Sequence, residues 1–202
     1  MKIYLIRHGE SEDDLNNCNG GVADWDISKG GVKQATVARP IFETFGIEKF
    51  YTSPLRRAYK TAEILNVNTR VPLEKVFDLH ETNRYGYLSG VEKSLAEELF
   101  AYLFKDPKEK EASYYDRVCM PGGETPDDLD KRVTSVFKTI VSKSKNLNTI
   151  AIVAHGGVIK SFFWSVLKYE RKIRKIGDVA FAEIEFLDGK YKLLKTEGYD
   201  II

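Results

Sequence analysis

Cysteine and histidine are scarce in this chain, and each scarcity removes a class of protein. Only two cysteines, Cys18 and Cys119, occur in 202 residues. They lie far apart with no framework spacing, which excludes a disulfide-stapled secreted fold and predicts inert thiols in a reducing cytosol. The three histidines form no cluster with Asp or Glu that has ligand spacing, so no metal is expected and no other cofactor is called for. Charge of one sign is not in excess either. Thirty-one Lys and Arg against 30 Asp and Glu leave a net +1, without the basic field that nucleic acid requires. No apolar run approaches the roughly 20 residues of a membrane span, so no membrane partner is expected. The first residues form an apolar strand without a basic leader or cleavage site, which predicts no signal peptide and a cytoplasmic location. Internal repeats and low-complexity tracts are missing. The length suits one domain with a substantial core rather than two.

What is present alternates between strand and helix patterns. Residues 1–6 are a short run of β-formers ending on Arg7-His8-Gly9. Residues 10–26 are polar and glycine-bearing, and read as a loop. Ser28 then caps a helix with Val32, Ala35, Ala38, Ile41, Phe42 and Phe45 at helical spacing, which Pro40 should kink or shorten. A second strand, Lys49 to Thr52, leads to Ser53 as N-cap and Pro54 at the first helical position, with Arg56 and Arg57 in the first turn. An arginine there opposes the helix dipole unless an anion binds beside it. Strand-like residues from Val71 run on to Asp78-Leu79-His80-Glu81. Residues 82–121 are irregular, with a helix expected over Lys93 to Phe104, and read as an inserted cap over the sheet edge. Thr125 and Pro126 open another amphipathic helix, Ile150 to Ala154 is a buried strand ending on His155, and Gly156-Gly157 opens an apolar helix. The basic run from Lys168 to Lys175 reads as a solvated helix end. Val179 to Leu187 and Tyr191 to Leu194, joined by Asp188-Gly189, make a terminal hairpin. The expected fold class is α/β: a three-layer sandwich with a mostly parallel central sheet flanked by helices, an inserted cap and a C-terminal β-hairpin, in one domain over residues 1–202.

Four stretches carry the chemistry: Arg7-His8-Gly9, Ser53-Pro54-Leu55-Arg56-Arg57-Ala58, Gly122-Gly123-Glu124-Thr125 and Ala154-His155-Gly156-Gly157. Two strands each deliver a histidine followed by glycine to the sheet edge where open α/β sheets bind ligands. A transferring phosphoryl group needs a nucleophile and a ring of fixed positive donors. Arg7, Arg57, His155 and the backbone N–H of Gly156 suit the ring, and forked guanidinium groups match phosphate oxygens. His8 suits the nucleophile, because nearby arginines favour its neutral, attacking form.

In order and in content these stretches resemble the histidine phosphatase superfamily, the phosphoglycerate-mutase-like proteins. The resemblance implies a phosphohistidine on His8 that is later hydrolysed, with Glu81 as the acid that protonates the leaving group. A carboxyl beside a phosphate dianion is driven towards its protonated form, as that role requires. Two departures stand out. The family commonly has asparagine six residues after the nucleophile; here Asp14 stands there, and either Asn16 or Asn17 substitutes through a longer loop or Asp14 faces away. Thr82-Asn83-Arg84 also does not reproduce the Arg-His-Tyr run typical of the mutases. The reading is therefore a phosphoric monoester hydrolase of the histidine acid phosphatase type, acting on a small phosphorylated metabolite. The alternatives are a cofactor-dependent phosphoglycerate mutase and a phosphate-recognising or partner-binding domain with little turnover. The aromatics Tyr85, Tyr87, Tyr102, Phe104, Tyr114 and Tyr115 either pack the cap or line the substrate entrance, with Arg84 or Arg117 reaching a second anionic group.

Overall fold

A computed structural model describes residues 1–99, 119–169 and 173–202. Six strands form one sheet: β1 (Lys2–Arg7), β2 (Lys49–Thr52), β3 (Leu73–Lys75), β4 (Thr149–Ala154), β5 (Ile173–Leu187) and β6 (Lys190–Ile201), in the order β3-β2-β4-β1-β5-β6. The first four are parallel to one another, and β5 and β6 run antiparallel at one edge. This is the mixed, mostly parallel α/β sandwich that the alternating patterns predict.

Helices cover both faces. Alternate side chains of β1 point to opposite sides, as strand geometry requires. Ile3 and Leu5 pack with Leu129, Val133 and Phe137 of helix α5 (Pro126–Lys143) and with Val158 and Ile159 of α6 (Gly156–Ser161). Tyr4 and Ile6 pack with Ala35 and Phe42 of α2 (Lys29–Glu43) and with Ala58, Ala62 and Leu65 of α3 (Arg56–Asn66). Because both faces are covered, β4 reads as an apolar run from Ile150 to Ala154 after Thr149, and all six of its residues are buried. Each large apolar side chain so buried contributes about 1.5–3 kcal/mol, which is why the sheet centre tolerates the polar residues gathered at its carboxyl edge.

Several local expectations change. The loop after β1 contains a one-turn helix, α1 (Glu12–Leu15), whose first turn carries Glu12, Asp13 and Asp14. Helix α2 runs straight through Pro40 and stops three residues later, so the proline shortens rather than breaks it. Ser53 is not the N-cap of α3. Leu55 holds that position, and the Ser53 hydroxyl instead accepts from the Leu55 N–H at 3.2 Å. The strand before Glu81 is only Leu73–Lys75, followed by a 3₁₀ turn over Phe77–Leu79. In the cap segment, Leu88, Ala96 and Met120 form a small core of their own. Its helix, α4, spans Lys93–Leu99; the expected continuation to Phe104 lies outside the described residues, as do Tyr102, Tyr114, Tyr115 and Arg117.

The basic run is the largest correction. Ile173, Arg174 and Lys175 start β5 rather than ending a helix, while Glu170, Arg171 and Lys172 lie outside the described residues. The hairpin is accordingly longer than expected, with β6 continuing to Ile201. Its turn was legible. Asp188 (φ 51°) and Gly189 (φ 78°) both adopt the left-handed conformation that tight two-residue hairpins use.

Candidate active site

Parallel pairing assembles the site. Arg7 at the end of β1 pairs with Ala154 at the end of β4, and Thr52 of β2 pairs with Val153. The next residue on each strand is therefore His8, His155 or Ser53, three neighbours at one sheet edge. The His8 N–H donates to the Ala154 carbonyl at 3.1 Å, and the two imidazole centroids lie 4.9 Å apart. Both rings are buried, His155 completely.

His8 bonds through Nδ1 to the Gly9 carbonyl at 2.7 Å. A carbonyl only accepts, so the proton sits on Nδ1 and Nε2 keeps its lone pair. The turn around it is held from two sides. The Gly9 N–H donates to Thr61 Oγ1 at 3.0 Å, and the Val179 N–H to the His8 carbonyl at 3.3 Å. Val179 adopts φ 55°, a conformation strained for a β-branched residue, within an irregularity of the β5–β6 pairing. Close approach of α2 also matters here: a Cβ on Gly31 would come within 2.2 Å of the Glu10 carbonyl oxygen. Only glycine lets that helix reach the strand end.

Arg7 ion-pairs with Asp178 at 2.8 Å and donates to the Ile176 carbonyl at 2.8 Å; Asp178 also accepts from Gln34 Nε2 at 3.1 Å. Arg57 is only 2% exposed, the most deeply buried large cation of the site. Its two terminal nitrogens donate to the Ala23 and Gly21 carbonyls, each at 2.8 Å, clamping the loop before α2. Burial depresses its pKa, while Asp13, Glu81, Asp24 and Asp14 act in the opposite sense. Arg56 stays at the surface and binds the Asp24 carbonyl and carboxylate.

Glu81 accepts from the Gly157 N–H through both oxygens, at 3.1 and 3.2 Å, and from the Thr82 N–H at 2.8 Å. The chain before it is tied to α5 by Arg132, which donates to the Asp78 and His80 carbonyls while pairing with Glu124 at 2.7 Å. Around these groups lies a cavity of about 400 Å³. Arg7, His8, Arg57, Glu81 and Gly156 are on its wall, and a Cβ on Gly156 would meet nothing within 4 Å. His155 is not on the wall but behind it, beside His8. Asp14 is on the wall, with its carboxylate 3.4 Å from the Ser11 hydroxyl. Asn16 is not: it is the exposed residue that ends α1. Among the described residues no group of three His, Cys, Asp or Glu side chains is placed to hold a metal ion.

Reading the sequence alone missed Asp178, Thr61, Arg132 and Ser53 as supports of this site. Thr61 had a signal, lying one helical turn after Arg57 and accepting the Gly9 N–H while donating to the Arg57 carbonyl at 2.7 Å. Asp178 and Arg132 had none, because long-range pairing alone brings them in.

Both site histidines are held well below 6.5. Burial is the main cause in each, followed by Arg57; Arg7 adds to both, His8 and His80 add to His155, and the bond to Gly9 opposes the shift at His8. The unfolded chain binds protons at these rings below pH 6.5 and the folded chain does not, so the stability conferred by neutral rings is complete above that pH and is lost as pH falls. The urea midpoint is therefore expected to drop between about pH 7 and about pH 5, and to drop less in His8→Gln. An identical drop in both proteins would show that His8 titrates normally.

The chain is similar to known proteins in both sequence and fold. The profile of the Histidine phosphatase superfamily (branch 1) matches residues 3–197. The uncharacterized phosphatase PhoE of Bacillus subtilis (strain 168) is 25% identical over 193 residues, covering 95% of this chain and 91% of that one. The 2,3-bisphosphoglycerate-dependent phosphoglycerate mutase of Blochmanniella floridana is 30% identical over 216 residues, covering 94% and 90%. In structure, the phosphoglycerate mutase of Bacillus anthracis str. Sterne superimposes with a TM-score of 0.85 at 19% identity, over 98% of this chain and 92% of that one. No helix among the described residues is long and apolar enough to cross a membrane.

Proposed function

The chain belongs to the histidine phosphatase superfamily, and from that premise we propose that it is a phosphomonoesterase working through a phosphohistidine on His8. One observation carries the reading: a buried imidazole whose Nδ1 is committed to a carbonyl, facing a cavity with Arg7 and Arg57 on its wall. In the first step His8 Nε2 attacks phosphorus, the N–P bond forms and the P–O bond to the alcohol breaks. Glu81 gives its proton to the leaving oxygen. In the second step Glu81 takes a proton from water, whose oxygen attacks phosphorus; the N–P bond breaks and phosphate leaves. Arg7, Arg57, His155 and the Gly156 N–H balance the charge that spreads over the equatorial oxygens. No step draws on a metal or another cofactor. We assign the described residues 82–99 and 119–121 to a cap that lends Thr82, Arg84, Tyr85 and Lys93 to the cavity wall, within one domain in the cytosol.

The outer wall narrows the substrate class. Arg84 and Lys93 stand on the cap side, with Lys160, Arg174 and Lys175 also on the wall, against Asp13 and Asp14 on the α1 side. A small phosphorylated metabolite with a second anionic group fits that asymmetry. In a panel of phosphomonoesters, kcat/KM is expected to be higher for compounds bearing a carboxylate or second phosphate than for neutral analogues, and to fall as salt is added. No release of phosphate from any member, p-nitrophenyl phosphate included, would contradict the reading. The 30% identity to a mutase keeps one further reading in play. Interconversion of 2- and 3-phosphoglycerate, primed by 2,3-bisphosphoglycerate and faster than hydrolysis, would favour it.

A further inference from the structure

Ser53 opens no helix, yet it is completely buried and its hydroxyl reaches His155 Nε2 at 2.7 Å. Its backbone is locked by its N–H donating to the Val153 carbonyl at 3.0 Å, two residues before the histidine. The same hydroxyl oxygen already accepts the Leu55 N–H at 3.2 Å. On the other side of the imidazole, Nδ1 is buried with no hydrogen-bond partner among the described residues.

Two proton placements are possible, and counting donors separates them. If His155 carried its proton on Nε2, it would donate to Ser53 Oγ. The serine hydrogen would then lack an acceptor, and Nδ1 would present a bare lone pair in a site built for an anion. If Ser53 donates instead, Nε2 accepts, the hydroxyl is satisfied in both directions, and only one group is left over: an N–H on Nδ1. A buried donor without a partner is costly, and it persists where a ligand completes it. We propose that Ser53 is a positioning residue that fixes the proton of His155 on Nδ1, so that this imidazole, behind the cavity wall and beside His8, keeps an N–H donor for the phosphoryl group that His8 takes up. The inference rests on the phosphatase reading for what the N–H meets, but the tautomer itself does not depend on it. Both site histidines would then carry the proton on Nδ1 for opposite uses. His8 spends that proton on a carbonyl to bare its nucleophilic nitrogen, and His155 keeps it as a donor.

The test uses the full chain with ¹⁵N-labelled histidine. Three imidazoles are present, so His80→Gln and His8→Gln assign the spectrum. At neutral pH the His155 signals should show a protonated Nδ1 and an unprotonated Nε2; a protonated Nε2 overturns the proposal. In Ser53→Ala the ring should populate both tautomers, and kcat should fall by about 10–10²-fold with a much smaller change in KM. Ser53→Thr, which restores the hydroxyl, should recover the Nδ1 tautomer. An unchanged tautomer in Ser53→Ala would reduce Ser53 to a packing residue and end the proposal. The spectra need no substrate, so this failure is separate from failure of the phosphatase reading, which would appear as an inactive wild type with the expected tautomer.

Discussion

His8→Gln is expected to lower kcat on every phosphomonoester by on the order of 10⁴–10⁶-fold, the scale of losing a covalent nucleophile. The loss should fall on chemistry rather than on folding. His8 contributes one ring and one short bond to the adjacent Gly9 carbonyl, and a glutamine amide keeps a donor of similar reach. Arg7 retains its Asp178 partner and Arg57 its two loop carbonyls in the variant, since none of those bonds involves the imidazole. Inorganic phosphate should therefore still raise the thermal midpoint of His8→Gln, because a ligand that binds only the folded state stabilises it. A variant that retains a tenth of wild-type turnover would assign the attack to another group. A variant that neither turns over nor responds to phosphate would show that His8 shapes the pocket instead.

Glu81→Gln is expected to separate substrates by their leaving groups. An alkyl alkoxide needs a proton as the P–O bond breaks, so hydrolysis of an alkyl phosphate should slow by about 10²–10⁴-fold, the usual worth of a general acid. p-Nitrophenolate leaves without help, so p-nitrophenyl phosphate should be affected much less in the first step. The amide can still accept from the Gly157 and Thr82 N–H groups through its one carbonyl oxygen, which keeps the segment in place. Arg132 secures the same segment from α5 independently. Equal losses on both substrates in the first step, read as the burst of alcohol or phenol release before turnover, would mean that Glu81 acts through structure and not through its proton.

Much of this site was legible because its signals are local. A β-run closing on Arg-His-Gly and a second closing on His-Gly-Gly are each a strand with a glycine turn, and parallel pairing of β1 with β4 places the two histidines side by side. Arg57 was marked by its conflict with the helix dipole at the start of α3, and the structure shows it buried. The supports were not legible, for a physical reason. Asp178 reaches Arg7 from a pairing irregularity in β5, across 171 positions of chain, and no local pattern encodes a bulge. Ser53 followed by proline has the composition of a helix cap, and only the neighbouring strand shows that its hydroxyl is taken by His155. The basic run failed at residues 173–175 for the same cause: charge density at a helix end and at a strand start look alike until the strand finds its partner. Asn16 lost its expected place because α1 formed where the polar composition suggested a loop.

The central claim is a covalent bond between phosphorus and His8. Mixing the protein with excess ³²P-labelled substrate, quenching in alkali within milliseconds and mapping the label by digestion tests it most directly. The account predicts an alkali-stable, acid-labile phosphoryl group on the peptide carrying His8, decaying at a rate that matches or exceeds turnover, and accumulating in Glu81→Gln with p-nitrophenyl phosphate. Steady turnover with no label on His8 at any time point, or label on His80 or His155 instead, would contradict it.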